Sequence, residues 1–92
     1  MQGKKRYTVY IEYCAQCNYR AQAIRVSDEL LSNYQHIIDQ VIITTGSKGV
    51  FDVKVNGQMV FSKYELNRHA EPGELLRLFS KLVGLEVPVY PQ

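Results

Sequence analysis

Residues 7–26 read "YTVYIEYCAQCNYRAQAIRV", and within this stretch the hydrophobic period changes from two to that of a helix. Tyr7 to Tyr13 alternates and is rich in β-branched and aromatic residues, which predicts a strand. Tyr7, Val9, Ile11 and Tyr13 share one face of it; Thr8, Tyr10 and Glu12 share the other. From Asn18 to about Tyr34 the positions Tyr19, Ala23, Val26, Leu30 and Tyr34, with Ile24 and Leu31 beside them, recur at helical spacing. No Pro or Gly interrupts that run, so a helix is expected. Cys14 and Cys17, the chain's only cysteines, stand where strand gives way to helix.

Working outward, "QVIITT" (40–45) predicts a second strand, and its nearly continuous apolar content suits the middle of a sheet. "GSKG" then turns the chain. In "VFDVKVNGQMVFSK" (50–63), Asn56-Gly57 lies between two alternating runs and is the preferred two-residue hairpin turn, because both positions need positive φ. A regular two-residue loop would set Val55 opposite Gln58, Val53 opposite Val60 and Phe51 opposite Ser62. Phe51, Val53, Val55 and Val60 would then line one face, with Asp52, Lys54, Met59 and Phe61 on the other. "YELNRHA" reads as a loop. "EPGELLRLFSKLVG" (71–84) reads as a second helix, with Pro72 near its first position, Glu71 and Glu74 at its positive end and Gly84 past its last turn. Leu75, Leu76, Phe79, Leu82 and Val83 form its apolar stripe. The tail "LEVPVYPQ" reads as an extended segment.

The order β-α-β-β-β-α follows, with a right-handed parallel βαβ unit and an added antiparallel hairpin. This is an α/β (α+β) chain of minimal thioredoxin-like arrangement, with a four-stranded mixed sheet and two helices. It makes one domain over residues 1–92, with its core at about 7–84. Ninety-two residues can bury one modest core. A net charge of +2 is too small to argue for nucleic acid or a membrane surface, and the basic Lys4-Lys5-Arg6 reads as a solvated lead-in. No apolar run approaches the length of a membrane span, and no apolar segment follows the basic N-terminus as a signal peptide requires. The expected location is cytoplasmic, where close cysteines serve catalysis or metal binding more than stapling.

Residues three apart on one turn bring two sulfurs within bonding reach. The positive end of a helix favours a thiolate, which can attack a disulfide while the second cysteine resolves the mixed species. Ala15 and Gln16 leave room for a partner to approach, and Arg20 adds positive charge one turn on. Two inert buried thiols are the plain alternative, disfavoured by the strand–helix junction. Zinc needs four ligands, and His36 and His69 lack the spacing to complete a set. A Cu(I) carrier can use two thiolates alone, but such domains end on a strand, whereas this chain ends on a helix. No phosphate loop, nucleophile elbow or zinc-protease motif is present.

Three features resemble the selenoprotein W-like (SelT/SelW/SelH, Rdx) family: "YIEYCAQCNYRAQA", the hairpin "GVFDVKVNGQMVFSK" and the closing helix "EPGELLRLFSKLVG". Together they cover roughly Tyr7 to Gly84. The resemblance implies a thioredoxin-like domain with thiol-dependent redox activity in redox homeostasis or antioxidant defence. It implies Cys14 and Cys17 as the catalytic pair, no bound cofactor, and glutathione or protein thiols and disulfides as partners. Cysteine stands at position 17 where selenium-containing members carry selenocysteine, so peroxide chemistry should be slower. Gly49-Val50 stands where thioredoxin itself has a proline before its third strand, which leaves the backbone clamp for peptides in question. Helix-dipole reasoning and thioredoxin analogy favour Cys14 as attacker; the selenium position points to Cys17. The competing reading is a redox-sensing interaction module without turnover. Its partner, or a second copy, would dock on a sheet face bearing Tyr10, Met59 and Phe61, unless Val87, Val89 and Tyr90 of the tail cover that face.

Overall fold

The computed structural model describes residues 5–91. Strand β1 (Tyr7–Cys14) is followed by helix α1 (Arg20–Tyr34) and strand β2 (Ile38–Gly46). Strands β3 (Phe51–Val55) and β4 (Gln58–Ser62) form the hairpin, and helices α2 (Lys63–Leu66) and α3 (Glu74–Val83) complete the order. The sheet runs β2-β1-β3-β4, with β1 parallel to β2 and antiparallel to β3. The expected α+β thioredoxin-like arrangement is therefore present. The alternation in β1 does its work: Tyr7, Val9 and Ile11 are buried in the core, while Thr8, Tyr10 and Glu12 turn to the other face.

The helices share one face of the sheet. Ala23, Val26, Leu30 and Tyr34 of α1 meet Leu75, Phe79 and Val83 of α3 over Ile11, Phe51 and Val53. The phenol of Tyr34 packs on Phe79, at 5.0 Å between ring centres, and donates a hydrogen bond to Ser80 Oγ at 3.0 Å. That bond satisfies the one polar atom of a ring buried between the helices.

Four local expectations are corrected. The hairpin pairs Val55 with Gln58 and Lys54 with Met59, but then Val53 with Phe61 and Asp52 with Ser62. Val60 is therefore an extra residue in a β-bulge. A bulge reverses the side-chain alternation beyond it, so Phe61 swings from the open face into the core, where it is 2% exposed. It packs edge-on against Phe51. The apolar patch expected from Tyr10, Met59 and Phe61 thus loses Phe61, its only wholly apolar ring. The turn itself is as expected, with positive φ at Asn56 and Gly57. Asn56 Oδ1 also accepts from the Thr8 N–H at 2.8 Å, pinning the turn to β1.

Second, β2 is an edge strand rather than a central one, and Ile42 and Ile43 are about two-fifths exposed. An apolar run records which residues are hydrophobic, but not on which side the next strand will pair. Third, α1 starts at Arg20 instead of Asn18, because Asn18 takes a left-handed φ of 64°. Fourth, the loop after β4 contains α2, capped by Ser62 Oγ accepting from the Glu65 N–H and ended by Asn67 in the left-handed region. Pro72 precedes α3, whose N-cap is Gly73. The tail lies on the helix side: Tyr90 N–H donates to Asn33 O at 2.7 Å, and Val87 packs on the core. It does not cover the open sheet face.

Candidate redox site

Cys14 is the last residue of β1, and Cys17 lies in the turn that leads to α1. The two are joined as a disulfide, with their Cα atoms 5.2 Å apart. The turn is tightly tied. Asn18 N–H donates to Ala15 O at 3.1 Å, and Tyr19 N–H donates to Cys14 O at 3.2 Å. Cys17 N–H donates to Cys14 Sγ at 3.2 Å. Asn tolerates the left-handed conformation that this closure demands at position 18.

Burial separates the two sulfurs. Cys14 has no exposed surface, whereas Cys17 is exposed. The difference follows from position: Cys14 ends a central strand out of phase with its inward residues and is buried where the chain enters the turn, whereas Cys17 sits on that turn outside the sheet. Because α1 begins three residues after Cys17, the pair stands before the helix rather than within its first turn. The dipole falls off within a turn, so the nearest backbone donor to a sulfur is the Cys17 N–H itself.

The chain segment before β3 supports the turn directly. Cys14 N–H donates to Val50 O at 2.8 Å and Ala15 N–H donates to Gly46 O at 3.1 Å. Val50 N–H donates in turn to Ser47 O at 3.3 Å. Both backbone groups of Val50 are therefore occupied within the fold. This segment braces the cysteines instead of offering a free strand edge to a peptide. Lys48 and Gly49 make the bend with φ of 59° and 78°, and there is no cis peptide bond among the described residues.

Three neighbours were not legible as site residues. Tyr19 follows the cysteines; the His69 ring meets it edge-on at 4.7 Å, and Lys63 Nζ lies 5.6 Å from its centre. Lys63 closes the "SK" that ends the hairpin motif, which was a signal of a kind. His69 comes from the loop before α3, and nothing in the sequence connects it with position 19. His36 lies elsewhere, between Tyr34 and Tyr90 with Nε2 3.0 Å from Pro88 O. No cluster of three or more His, Cys, Asp or Glu that could hold a metal ion occurs among the described residues.

The match to known proteins follows the same elements. The model of the Rdx family covers residues 8–81. The chain belongs to the Rdx family. Two solved structures share its fold. The Vibrio cholerae selenoprotein W-related protein superposes with a TM-score of 0.81 at 24% identity, over 87% of this chain and all of that one. A Bordetella parapertussis protein gives 0.79 at 25% identity, over 84% of this chain and 98% of that one. Migration and invasion enhancer 1 of Bos taurus and of Mus musculus are each 32% identical over 57 residues, 62% of this chain. The chain spans about half the length of those two relatives. In this Rdx-family chain the matched region includes the cysteine pair, the hairpin and most of α3. Among the described residues no helix is long and apolar enough to cross a membrane.

Proposed function

We propose that this Rdx-family chain is a thiol–disulfide redox protein that cycles between the Cys14–Cys17 disulfide and the dithiol, with Cys17 as the entry sulfur. The observation that carries this reading is the difference in burial across one disulfide: an incoming sulfur reaches Cys17 and not Cys14. The selenium position in the family points the same way, against the helix-dipole preference for Cys14.

In the reductive half, a donor thiolate attacks Cys17 Sγ. The internal S–S bond breaks, a donor–Cys17 disulfide forms, and Cys14 leaves as thiolate to take up a proton. A second donor thiolate attacks the donor's sulfur, releasing an oxidised donor and the Cys17 thiolate. Two electrons enter the protein. In the oxidative half, Cys17 thiolate attacks a substrate disulfide and releases one substrate thiol. Cys14 then attacks Cys17 Sγ, re-forms the internal disulfide and releases the second thiol. Exchange of this kind proceeds through the thiolate, and the Cys17 N–H aimed at Cys14 Sγ stabilises Cys14 as leaving group. Glutathione and protein thiols are the donor class proposed, with no bound cofactor and a cytoplasmic setting. The interaction-module reading keeps only Tyr10 and Met59 of its expected patch, because Phe61 lies in the core.

Intact-mass analysis across a glutathione redox series tests the cycle. The expected result is an internal disulfide in the wild type, a stable glutathione adduct in Cys14→Ser, and little or none in Cys17→Ser. Two free thiols persisting at an oxidising poise would reject the redox reading. Equal adducts in both variants would reject Cys17 as the entry point.

A further inference from the structure

The two edges of the sheet are built differently. The β4 edge is five residues long and is broken by the bulge at Val60. The β2 edge is nine residues long, and after one irregularity near Asp39 it pairs without interruption from Gln40 to Gly46. Gly46 O accepts from the Ala15 N–H, so the even-numbered residues of β2 direct their backbone groups toward β1. Those of Val41, Ile43 and Thr45 point outward. Residues 40–47 contain no charge and no proline. Charges, prolines, bulges and covering segments are the devices that normally keep such an edge from pairing, and among the described residues this edge has none of them over that length.

The flank of α1 on the same side is also apolar. The side chains of Arg25 and Glu29 are bonded toward the start of α3, to Ala70 O and Gly73 N–H respectively. At 100° per residue, Ile24 and Leu31 therefore fall on the opposite flank, turned toward β2. They are 54% and 37% exposed, beside Ile43 at 40%. Ile43 shares the helix-side face of the sheet with Ile11, its partner across the ladder.

We propose that β2 is a homodimer interface at which two copies pair antiparallel into one continuous eight-stranded sheet. A second copy fits because the edge is complementary to itself. Opposed residues in an antiparallel pair must share a face and, in alternate pairs, exchange both backbone hydrogen bonds. A twofold axis at Ile43 meets both conditions, placing Ile43 opposite Ile43 of the other copy and Val41 opposite Thr45. The same axis, perpendicular to the sheet, keeps both helical layers on one side. The two flanks bearing Ile24 and Leu31 then face each other over the paired isoleucines. Ile24 and Leu31 straddle the middle of α1, and Ile43 lies one residue past the middle of β2, which suits a single axis for both. Charge agrees with this direction. Antiparallel pairing brings the Asp39 end of each strand, where Asp39 already holds Arg6, alongside Lys48 of the other.

Sedimentation equilibrium of the oxidised chain tests the proposal. The expected result is a rise in mass from 10.6 kDa toward twice that value between about 10 µM and about 1 mM, an affinity suited to a small edge interface. Ile43→Lys opposes two like charges at the axis and should shift the transition at least about tenfold. Thr45→Pro removes an outward N–H that makes no bond to β1, so it should block pairing while leaving the fold intact. Circular dichroism confirms folding, and if Ile43→Lys unfolds, Thr45→Pro and Ile24→Glu carry the test. A wild type that stays monomeric at about 1 mM, or a dimer indifferent to these variants, overturns the proposal. Mass does not report on the sulfurs, so this result is independent of the redox reading.

Discussion

Replacing Phe61 by alanine separates the bulged hairpin from the regular one. With regular two-residue pairing Phe61 would lie on the open sheet face, and its loss would cost little. In the structure the ring is 2% exposed, stands 6.3 Å from the ring of Phe51, and has the Arg68 guanidinium 5.8 Å from its centre. Truncating a buried Phe costs about 3–5 kcal/mol, the sum of lost transfer energy and the cavity left behind. Against a stability of about 5–15 kcal/mol for a domain of this size, that is a large share. A loss of about 4 kcal/mol lowers Tm by roughly 15–30 °C. Met59, two residues earlier and 37% exposed, provides the internal control, and Met59→Ala should cost less than about 1 kcal/mol. Urea unfolding of the oxidised proteins measures both, with unchanged m-values showing that the comparison is sound. If the two variants fall within about 1 kcal/mol of each other, Phe61 is not in the core and the bulge is wrong.

Further outcomes follow from the turn and from the loop before α3. Asn18→Val forces a β-branched residue to φ of 64° and should destabilise the oxidised protein by about 1–2 kcal/mol, whereas Asn18→Gly should leave it nearly unchanged. Chemical denaturation compares them; equal losses would refute the conformational argument. The Arg68 guanidinium, bonded to Glu74 at 2.8 and 2.7 Å, and the Glu71 N–H hold the Glu74 carboxyl down to about 2 from its usual 4.5. A lowered carboxyl pKa stabilises the fold fully above the ordinary value, and that contribution disappears as pH falls through the folded one. The wild type should therefore lose Tm between pH 4.5 and about 2 more steeply than Glu74→Gln. Parallel acid slopes in thermal unfolding would show that the pair does not link to stability.

Much of this was readable from local chemistry. Period-two alternation in residues 7–13, Asn56-Gly57 with its demand for positive φ, and the apolar stripe from Leu75 to Val83 each predict an element from its own residues. The cysteine pair was readable for the same reason, since its spacing and its place after a strand are properties of one continuous segment. Val60 was not readable as a bulge: a two-residue turn and an alternating run are equally consistent with regular pairing. What selects the bulge is the gain from burying Phe61 against Phe51, a contact between strands that neither strand encodes alone. His69 beside Tyr19 is likewise a meeting of distant segments.

The sequence by itself determined the order of elements, the inward face of β1 and the place of the cysteine pair, because hydrophobic period, turn stereochemistry and thiol spacing are local. Only the tertiary structure decided which sulfur faces solvent, which hairpin face carries Phe61, and that β2 lies at the edge with Ile42 and Ile43 exposed. Each of those depends on which surfaces remain once every element has found its neighbours. Burial is a property of the packed whole, and no residue carries it alone.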